Sequence, residues 1–326
     1  MSNEALQVLH PDRNLAMELV RATEAAAIRA VPFIGKGDKN AADGAAVDAM
    51  RAFLTTVNFE GQIVIGEGEK DDAPMLFNGE IVGNGNGPKC DIAVDPIDGT
   101  SLTAAGRQNA LSVIAVADRG AMLDASSVFY MSKLVSDADG IGVLDIRLPI
   151  GENIKRLAKA KGKSVSDIVV AVLDRPRHLG LIQEIREVGA GTRMLLDGDV
   201  AGGILAARYG SGIDICVGTG GSPEGIVTAC AIKGLGGFIQ GILQPKDELE
   251  AARGEANGLK MGHVYEAGEL VATENTFFVA TGVTDGELLR GVSHKGPIIK
   301  TQSMVIRGRS GTVRLVDAEY RADRWL

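Results

Sequence analysis

The sequence predicts an α/β protein, and two patterns along the chain lead to this prediction. From residue 167 onwards, short apolar runs alternate with amphipathic segments, which is typical of βαβ units with a partly parallel sheet. Glycine is abundant, at 43 of 326 residues, and glycine-rich turns follow many of the apolar runs. Loops positioned by such a scaffold commonly carry functional groups. We therefore expect a site built from side chains at the ends of strands.

Composition bounds the class of protein. A hydrophobic fraction of 45% in 326 residues is enough for a large buried core. The formal net charge is −8, so we expect no nucleic-acid partner, because phosphate backbones bind to basic surfaces. No apolar run reaches the length of about 18 residues that a membrane span requires. Residues 1–13 lack an apolar segment, and the three cysteines lack CxxC spacing, so we predict a cytoplasmic protein without a secretory leader, disulfide framework or zinc site.

The elements of the N-terminal half follow from hydrophobic spacing. A helix with Asp12 as its N-cap is expected to run to about residue 30, and a loop at 35–40 separates it from a second helix at 45–57. Strands are expected at 62–65, 91–94, 111–117, 128–135 and 143–148.

The pattern changes near Gly151, and we predict a domain boundary there that divides the chain into domains 1–160 and 161–326. Helices are expected at 153–160, 178–188, 200–208 and 223–232. Strands are expected at 168–173, 194–196 and 213–217, followed by a loop-rich stretch at 254–268 and a hairpin made of 298–306 and 312–315.

The hexapeptide DPIDGT at 95–100 is the strongest chemical signal. It follows an apolar strand and places two carboxylates, Asp95 and Asp98, and the hydroxyl of Thr100 within one turn. Hard divalent cations prefer converging oxygen ligands of this kind. Asp, Pro and Gly are also ordinary turn residues, so a tight turn without chemistry is the alternative for the hexapeptide alone.

Other acidic side chains also stand beside predicted strand or helix ends. Asp43 precedes a predicted helix and could be its N-cap, whereas Glu67 and Glu69 follow a strand. Glu224 opens another helix, where the helix dipole favours negative charge. Together, five carboxylates could hold two divalent cations about 4 Å apart, as in two-metal phosphoryl-transfer sites: Asp43, Glu67, Asp95, Asp98 and Glu224.

Candidate groups for an anionic substrate follow later strands. Arg175 and Arg177 come after the strand at 168–173, and arginine binds phosphate in a bidentate manner. The alternative is a basic turn at a helix entry. We expect His178 to cap or pack rather than to bind a ligand. Asp197 and Asp199 repeat the pattern of strand, acid, glycine, acid and helix, and could bind polyol hydroxyls or cap the helix.

The ordered set of motifs resembles the class II fructose-1,6-bisphosphatases, a branch of the metal-dependent, lithium-sensitive sugar and inositol phosphatases. The resemblance spans about residues 13–319. Its motifs are GDKNAAD (37–43), GEGE (66–69), DAPM (72–75), DPIDGT (95–100), RPRH (175–178), DGDVA (197–201), GGSPEG (220–225) and ATGVTDG (280–286).

The resemblance implies a layered α-β-α-β-α sandwich, a homo-oligomer (tetramer or dimer), and Mn²⁺ or Mg²⁺ as cofactor. It implies hydrolysis of the C1 phosphate of fructose 1,6-bisphosphate, in gluconeogenesis and glycerol utilisation. Metal ligands are implied at Asp43, Glu67, Asp95, Asp98 and Glu224, and catalytic roles at Thr100, Asp43, Glu67 and Lys39. Substrate contacts are implied at Asp98, Gly99, Thr100, Tyr130, Arg175, Pro176, Arg177, Asp197, Gly198, Asp199 and Gly221.

The chain departs from the family pattern in three places. Many members carry Glu at the position of Asp98 and Lys at the position of Arg175. One extra residue near Ser126 makes Tyr130 the better match to the family's tyrosine and leaves Phe129 as the alternative. Sedoheptulose 1,7-bisphosphate, an inositol phosphate or a phosphoadenosine remain alternative substrates, and a non-catalytic metal-binding protein is the alternative from another class.

Overall fold

The computed structural model of the protein describes residues 15–66 and 76–325. In these ranges the helices are α1 (Leu15–Ala30), α2 (Lys39–Leu54), α3 (Thr100–Ala105), α4 (Ile150–Lys161), α5 (Leu179–Glu187), α6 (Val200–Ala207), α7 (Ser222–Leu235), α8 (Glu248–Ala256), α9 (Ala267–Leu270) and α10 (Ala322–Trp325). The strands are β1 (Glu60–Ile65), β2 (Ile81–Val82), β3 (Lys89–Asp98), β4 (Leu111–Asp118), β5 (Tyr130–Ser136), β6 (Val169–Leu173), β7 (Gly191–Leu195), β8 (Ile215–Gly221), β9 (Phe238–Gln244), β10 (Tyr265–Glu266), β11 (Phe277–Gly282), β12 (Ser293–Lys295), β13 (Ile298–Arg307) and β14 (Thr312–Arg321).

The strands of the described residues form two sheets. The first has the order β12-β13-β11-β4-β3-β1-β2, with β14 paired to β13. It is mostly antiparallel, but β1 and β3 run parallel. The second has the order β10-β9-β5-β8-β6-β7, in which β6 is parallel to both β7 and β8. The expected parallel pairing in the C-terminal half is thus confirmed.

Three apolar clusters stack the elements into five layers. Helices α1 and α2 cover one face of the first sheet, α6 and α7 lie between the two sheets, and α4 and α5 cover the outer face of the second sheet. The expected α-β-α-β-α sandwich is therefore confirmed.

Strand β4 illustrates how the sequence produces these layers. Apart from Ser112 and the terminal Asp118, its residues are apolar without alternation, and both faces of the sheet are covered. Side chains of successive residues point to opposite faces, so Val113 and Ala115 pack in the cluster between the sheets, whereas Ile114 and Val116 pack against α1 and α2.

Several sequence predictions need correction. The strand expected at 143–148 is absent, because this segment forms turns between a 3-10 helix, Ala138–Gly140, and α4. The second helix begins six residues earlier than expected, at Lys39. The sequence did not predict α3, α8, β9 or β11. The hairpin expected near the C-terminus is confirmed as β13 and β14.

The division into domains 1–160 and 161–326 stays a prediction, and the sheets do not separate at this boundary. β5 lies in the second sheet, whereas β11 to β14 return to the first. In the described ranges, no helix combines the length and the apolar character that a membrane crossing requires. All three cysteines are buried, as expected for small apolar residues.

Candidate active site

A cavity of about 390 Å³ lies where strand and helix ends from both sheets meet. It is lined by nine of the candidate residues from the sequence analysis, which come from four separate segments: Lys39, Asp43, Asp95, Asp98, Gly99, Thr100, Asp197, Gly198 and Glu224. Asn40, Gly66, Phe129 and Pro223 are among its other lining residues. The cavity is the geometric basis for a joint function of these distant motifs.

The DPIDGT segment forms the joint between β3 and α3. The pairing of β3 with β4 is irregular between Asp95 and Asp98, so the two carboxylates leave the regular ladder before the strand ends. Gly99 then adopts φ +89°, a left-handed conformation that glycine adopts without strain. Thr100 starts α3 immediately afterwards. This sharp joint is how two carboxylates and a hydroxyl reach one cavity.

The sequence had suggested Asp43 as a possible N-cap of α2, but Asp43 lies inside this helix. The N-cap is Asp38, whose side chain accepts a hydrogen bond of 2.9 Å from the backbone N–H of Ala41. Asp43 is buried one turn further along and faces the cavity. A carboxylate that is not needed for capping and is buried at a cavity wall is more suggestive of function than a cap.

Glu224 lies in the first turn of α7, at the corner that follows β8. Its Oε2 atom is buried and accepts no hydrogen bond from the described part of the chain. A Cβ at Gly221 would come within 1.9 Å of this oxygen, so only glycine leaves room for the carboxylate at this corner. Similarly, a Cβ at Gly198 would come within 2.5 Å of Asp98 Oδ1. Glycines thus admit both carboxylates to the cavity.

Burial and neighbouring negative charges raise the pKa of both Asp98 and Glu224. For Asp98, burial is the largest cause, followed by the negative charges of Glu224 and Asp199, and the pKa is raised well above its usual value. For Glu224, burial also raises the pKa, and the nearby ammonium group of Lys133 opposes the shift. Two carboxylates in such a site hold a proton or attract a cation, because both charges cannot be buried together without compensation.

The residues present fit a divalent cation. Across 15–66 and 76–325, no three carboxylate, imidazole or thiol groups converge into a complete cation site. Glu67 and the DAPM motif lie outside the described residues, directly after Gly66, which lines the cavity. The unsatisfied Glu224 Oε2 and the raised pKa of Asp98 are what carboxylates without their counter-cation would display. Oxygen ligands of this kind suit Mg²⁺ or Mn²⁺.

The two candidate phosphate-binding arginines are held by the protein itself. Arg175 Nη2 lies 2.6 Å from Asp197 Oδ1, and Arg175 Nη1 donates to the carbonyl of Leu196 at 2.6 Å. Arg177 donates to the carbonyl of Thr219 through Nε and Nη2. Its guanidinium carbon lies 5.2 Å above the ring centroid of Tyr130, a cation–π contact. Both cations are therefore held in place before any ligand binds.

The two aromatic candidates, Phe129 and Tyr130, take different positions. Phe129 lines the main cavity and is 59% exposed, whereas Tyr130 supports Arg177. Their rings pack edge to face, with centroids 4.7 Å apart. Six other candidates for substrate contacts are not among the lining residues of the cavity: Tyr130, Arg175, Pro176, Arg177, Asp199 and Gly221.

His178 is a packing group, as expected. It is buried, and its Nε2 accepts a hydrogen bond of 2.8 Å from the backbone N–H of Thr219. Nδ1 therefore carries the proton and donates to the carbonyl of Leu173 at 2.8 Å. Burial lowers the pKa of the ring, which keeps it neutral. The imidazole joins β6 to β8 beneath the arginine loop.

Two contacts that candidate residues make were not predicted from the sequence. Lys39 Nζ donates to Ser101 Oγ at 2.6 Å and so links α2 to α3. Asp199 is at the N-cap position of α6, but its side chain does not cap the helix. It pairs instead with the buried Lys133, whose Nζ is 2.6 Å from Asp199 Oδ2. A lysine at the centre of the mostly buried strand β5 was the available signal for this pair.

The chain as a whole matches the family model described as bacterial fructose-1,6-bisphosphatase, glpX-encoded, over residues 13–320. It belongs to this family. Over 325 residues it is 44% identical to fructose-1,6-bisphosphatase 1 class 2 of Escherichia coli, with 96% of each chain covered. The class 2 fructose-1,6-bisphosphatase of Shigella flexneri matches to the same extent, 44% over 325 residues.

Membership confirms the family resemblance noted from the motifs. The family is one of metal-dependent phosphatases, in agreement with the carboxylate-lined cavity. The roles of individual side chains stay predictions.

Proposed function

We propose that this protein hydrolyses the C1 phosphate of fructose 1,6-bisphosphate, with fructose 6-phosphate and inorganic phosphate as products. The observation that carries the proposal is the single cavity in which Asp43, Asp95, Asp98, Thr100 and Glu224 meet, although they are distant in sequence. Its carboxylates are oxygen ligands of the kind that hard divalent cations prefer, and its walls continue into Asp197, to which Arg175 is bound. The family's relatives support the choice of substrate.

The proposed cofactor is Mn²⁺ or Mg²⁺, held by five carboxylates: Asp43, Glu67, Asp95, Asp98 and Glu224. When bound, such a cation polarises phosphoryl oxygens and lowers the pKa of a bound water. Without a bound cation, the carboxylates make the site negative and repel an anionic phosphate ester. We therefore expect the ester to bind mainly to the cation-loaded protein.

The other candidate residues divide into two groups. We propose that the Thr100 hydroxyl orients the attacking water for in-line displacement, with assistance from Lys39, Asp43 and Glu67. The second group binds the rest of the substrate: Asp98, Gly99, Tyr130, Arg175, Pro176, Arg177, Asp197, Gly198, Asp199 and Gly221.

Within the second group, Arg175 and Arg177 bind the 6-phosphate, and Asp197 and Asp199 accept hydrogen bonds from sugar hydroxyls. The contacts of both arginines to protein acceptors restrain their side chains, which reduces the entropy cost of binding.

The decisive experiment is phosphate release by the purified protein. Fructose 1,6-bisphosphate, sedoheptulose 1,7-bisphosphate and inositol 1-phosphate are compared with Mn²⁺, with Mg²⁺ and with EDTA. We expect cation-dependent turnover that is strongest on fructose 1,6-bisphosphate. Preference for another ester would reassign the substrate, and a protein that binds the cation but releases no phosphate would refute the proposal.

We also propose a cytoplasmic homo-oligomer, a dimer or a tetramer. Light scattering coupled to size-exclusion chromatography measures the subunit number directly.

A further inference from the structure

Lys133 is a buried cation beside the proposed substrate site. It lies in β5, next to β8 in the second sheet, and its side chain is only 6% exposed. Its Nζ atom is 2.8 Å from Asp199 Oδ1 and 2.6 Å from Asp199 Oδ2. Nζ also donates to the carbonyl oxygen of Gly221 at 3.1 Å. Lys133 therefore connects the start of α6 with the corner between β8 and α7.

Three acceptor oxygens surround the ammonium group. Two belong to the carboxylate of Asp199 and one is the carbonyl oxygen of Gly221, so at least two of the three N–H donors of the ammonium are engaged. Burial favours the neutral amine, but the negative charges of Asp199 and Glu224 outweigh burial and raise the pKa of Lys133. The lysine side chain is therefore favoured in its charged form beside the Asp199 carboxylate.

The backbone around the pair is shaped to contain it. A Cβ at Gly220 would come within 2.3 Å of Asp199 Oδ2 and 2.9 Å of Lys133 Nζ. A Cβ at Gly225 would come within 3.3 Å of Lys133 Cδ. Glycine at Gly220 is therefore required for the pair to form, and Gly225 leaves room for the lysine chain.

The ion pair with Lys133 also fixes the orientation of the Asp199 side chain. Asp199 repels Asp98 and Glu224, since its charge contributes to the raised pKa of both carboxyl groups. Without a cation on the other side, this repulsion and burial would favour a different orientation or a protonated Asp199. With both oxygens contacting Lys133, each still has a lone pair that can accept a hydroxyl.

We propose that Lys133 is a positioning residue for sugar binding, which holds the Asp199 carboxylate and the Gly221 carbonyl in the orientation that receives the substrate hydroxyls. This inference rests on the proposed function, because it assumes that Asp199 contacts the sugar. Lys133 acts through Asp199 and does not touch the substrate.

The test compares Lys133→Met with Lys161→Met. Lys161 is a matched control, because its side chain is 8% exposed and it pairs with buried Asp137 and Asp214 in a cluster that does not line the cavity. Steady-state KM and kcat for fructose 1,6-bisphosphate are measured at saturating Mn²⁺. Binding of fructose 6-phosphate to the metal-free protein is measured by calorimetry, and Tm by a thermal scan.

We expect Lys133→Met to raise KM and to weaken fructose 6-phosphate binding by roughly 10-fold to 100-fold, the scale of a hydrogen bond to a charged group, with a smaller change in kcat. Lys161→Met should lower Tm and leave KM unchanged.

A double-mutant cycle with Asp199→Asn separates positioning from general destabilisation. If Lys133 acts through Asp199, Lys133→Met causes no further increase of KM in the Asp199→Asn background. Additive effects, or an unchanged KM in Lys133→Met, would overturn the inference while the proposed function stands. A wild-type protein that releases no phosphate would instead overturn the proposed function, and this inference with it.

Discussion

Two acidic clusters of this molecule balance their charge in different ways. The first, here called the structural cluster, consists of Asp137, Asp139 and Asp214 together with Lys161 and Lys163. Lys161 lies within ion-pair distance of all three aspartates, and Lys163 is 2.7 Å from Asp214. This cluster joins the end of α4 to the second sheet and supplies its own cations.

The second, here called the site cluster, consists of Asp98, Asp199 and Glu224 with Lys133. The lysine contacts Asp199, and the pKa of both Asp98 and Glu224 is raised by burial. The difference teaches that similar residue types form a structural cluster where a lysine reaches every carboxylate, and form a candidate ligand site where the carboxylates outnumber the lysine more strongly and some of them line a cavity.

Asp95→Ala should produce the largest effect, because it removes a carboxylate from the cavity end of β3. We expect a loss of kcat of about 10³-fold or more, the scale of losing a major electrostatic stabiliser of the transition state. Phosphate release from fructose 1,6-bisphosphate measures it, and the matched variant Asp139→Ala in the structural cluster should keep wild-type kcat. An Asp95→Ala protein with near-normal turnover would remove this carboxylate from the proposed mechanism.

Lys161→Met should break the structural cluster without changing chemistry. Removal of the shared cation leaves Asp137 buried and poorly compensated, so we expect a loss of about 3 kcal/mol in the free energy of unfolding. Urea denaturation measures the loss. If stability were unchanged, the cluster would not be the structural element that its geometry indicates.

Arg177→Ala should affect binding more than turnover. Arg177 is proposed to bind the 6-phosphate, away from the bond that breaks, so KM should rise by roughly 10-fold to 100-fold with kcat reduced much less. Steady-state kinetics on fructose 1,6-bisphosphate provide both numbers. Comparable losses of kcat in Arg177→Ala and Asp95→Ala would contradict the division of roles.

The smallest expected effect is the pH dependence of the metal-free protein. The pKa of Glu224 and Asp98 is raised in the folded state, so between the unfolded and folded pKa values the native state binds more protons. Stability should therefore decrease as the pH rises from the unfolded pKa values of these two carboxyl groups towards their raised folded values. Glu224→Gln should weaken this pH dependence of stability, as measured by denaturant titrations in EDTA. A stability that rises with pH in the wild type but not in Glu224→Gln would contradict a raised pKa for Glu224.

Much of the fold could be predicted because its signals are local. The apolar run of β4 and the alternation of strands and helices after residue 167 are readable without the tertiary structure. The strand predicted at 143–148 was wrong for the same reason. The apolar residues of this segment resemble a strand locally, but no neighbouring strand pairs with it. An N-cap role was the alternative considered for Asp43 because the start of α2 was placed too late, whereas the helix begins at Lys39 and Asp38 caps it.

The candidate site was predictable where motifs are contiguous. Asp95, Asp98 and Thr100 were identified from one hexapeptide, and they line the same cavity. Lys133 was not identified, because its proposed role depends on Asp199, which is distant in sequence and comes close only where the start of α6 packs on the second sheet. A single buried lysine in a strand has no sequence signature that names its partner.

The sequence by itself determined the class of fold, the family and the residue types that can bind a cation and a phosphate ester, because these depend on local spacing and on side-chain chemistry. Only the tertiary structure decided which carboxylates are compensated. Charge compensation depends on distances of a few ångströms between side chains from different elements, as between Lys133 and Asp199 or Lys161 and Asp137. The first distance is set by the packing of α6 against the second sheet, and the second by the packing of α4 on the outer face of that sheet.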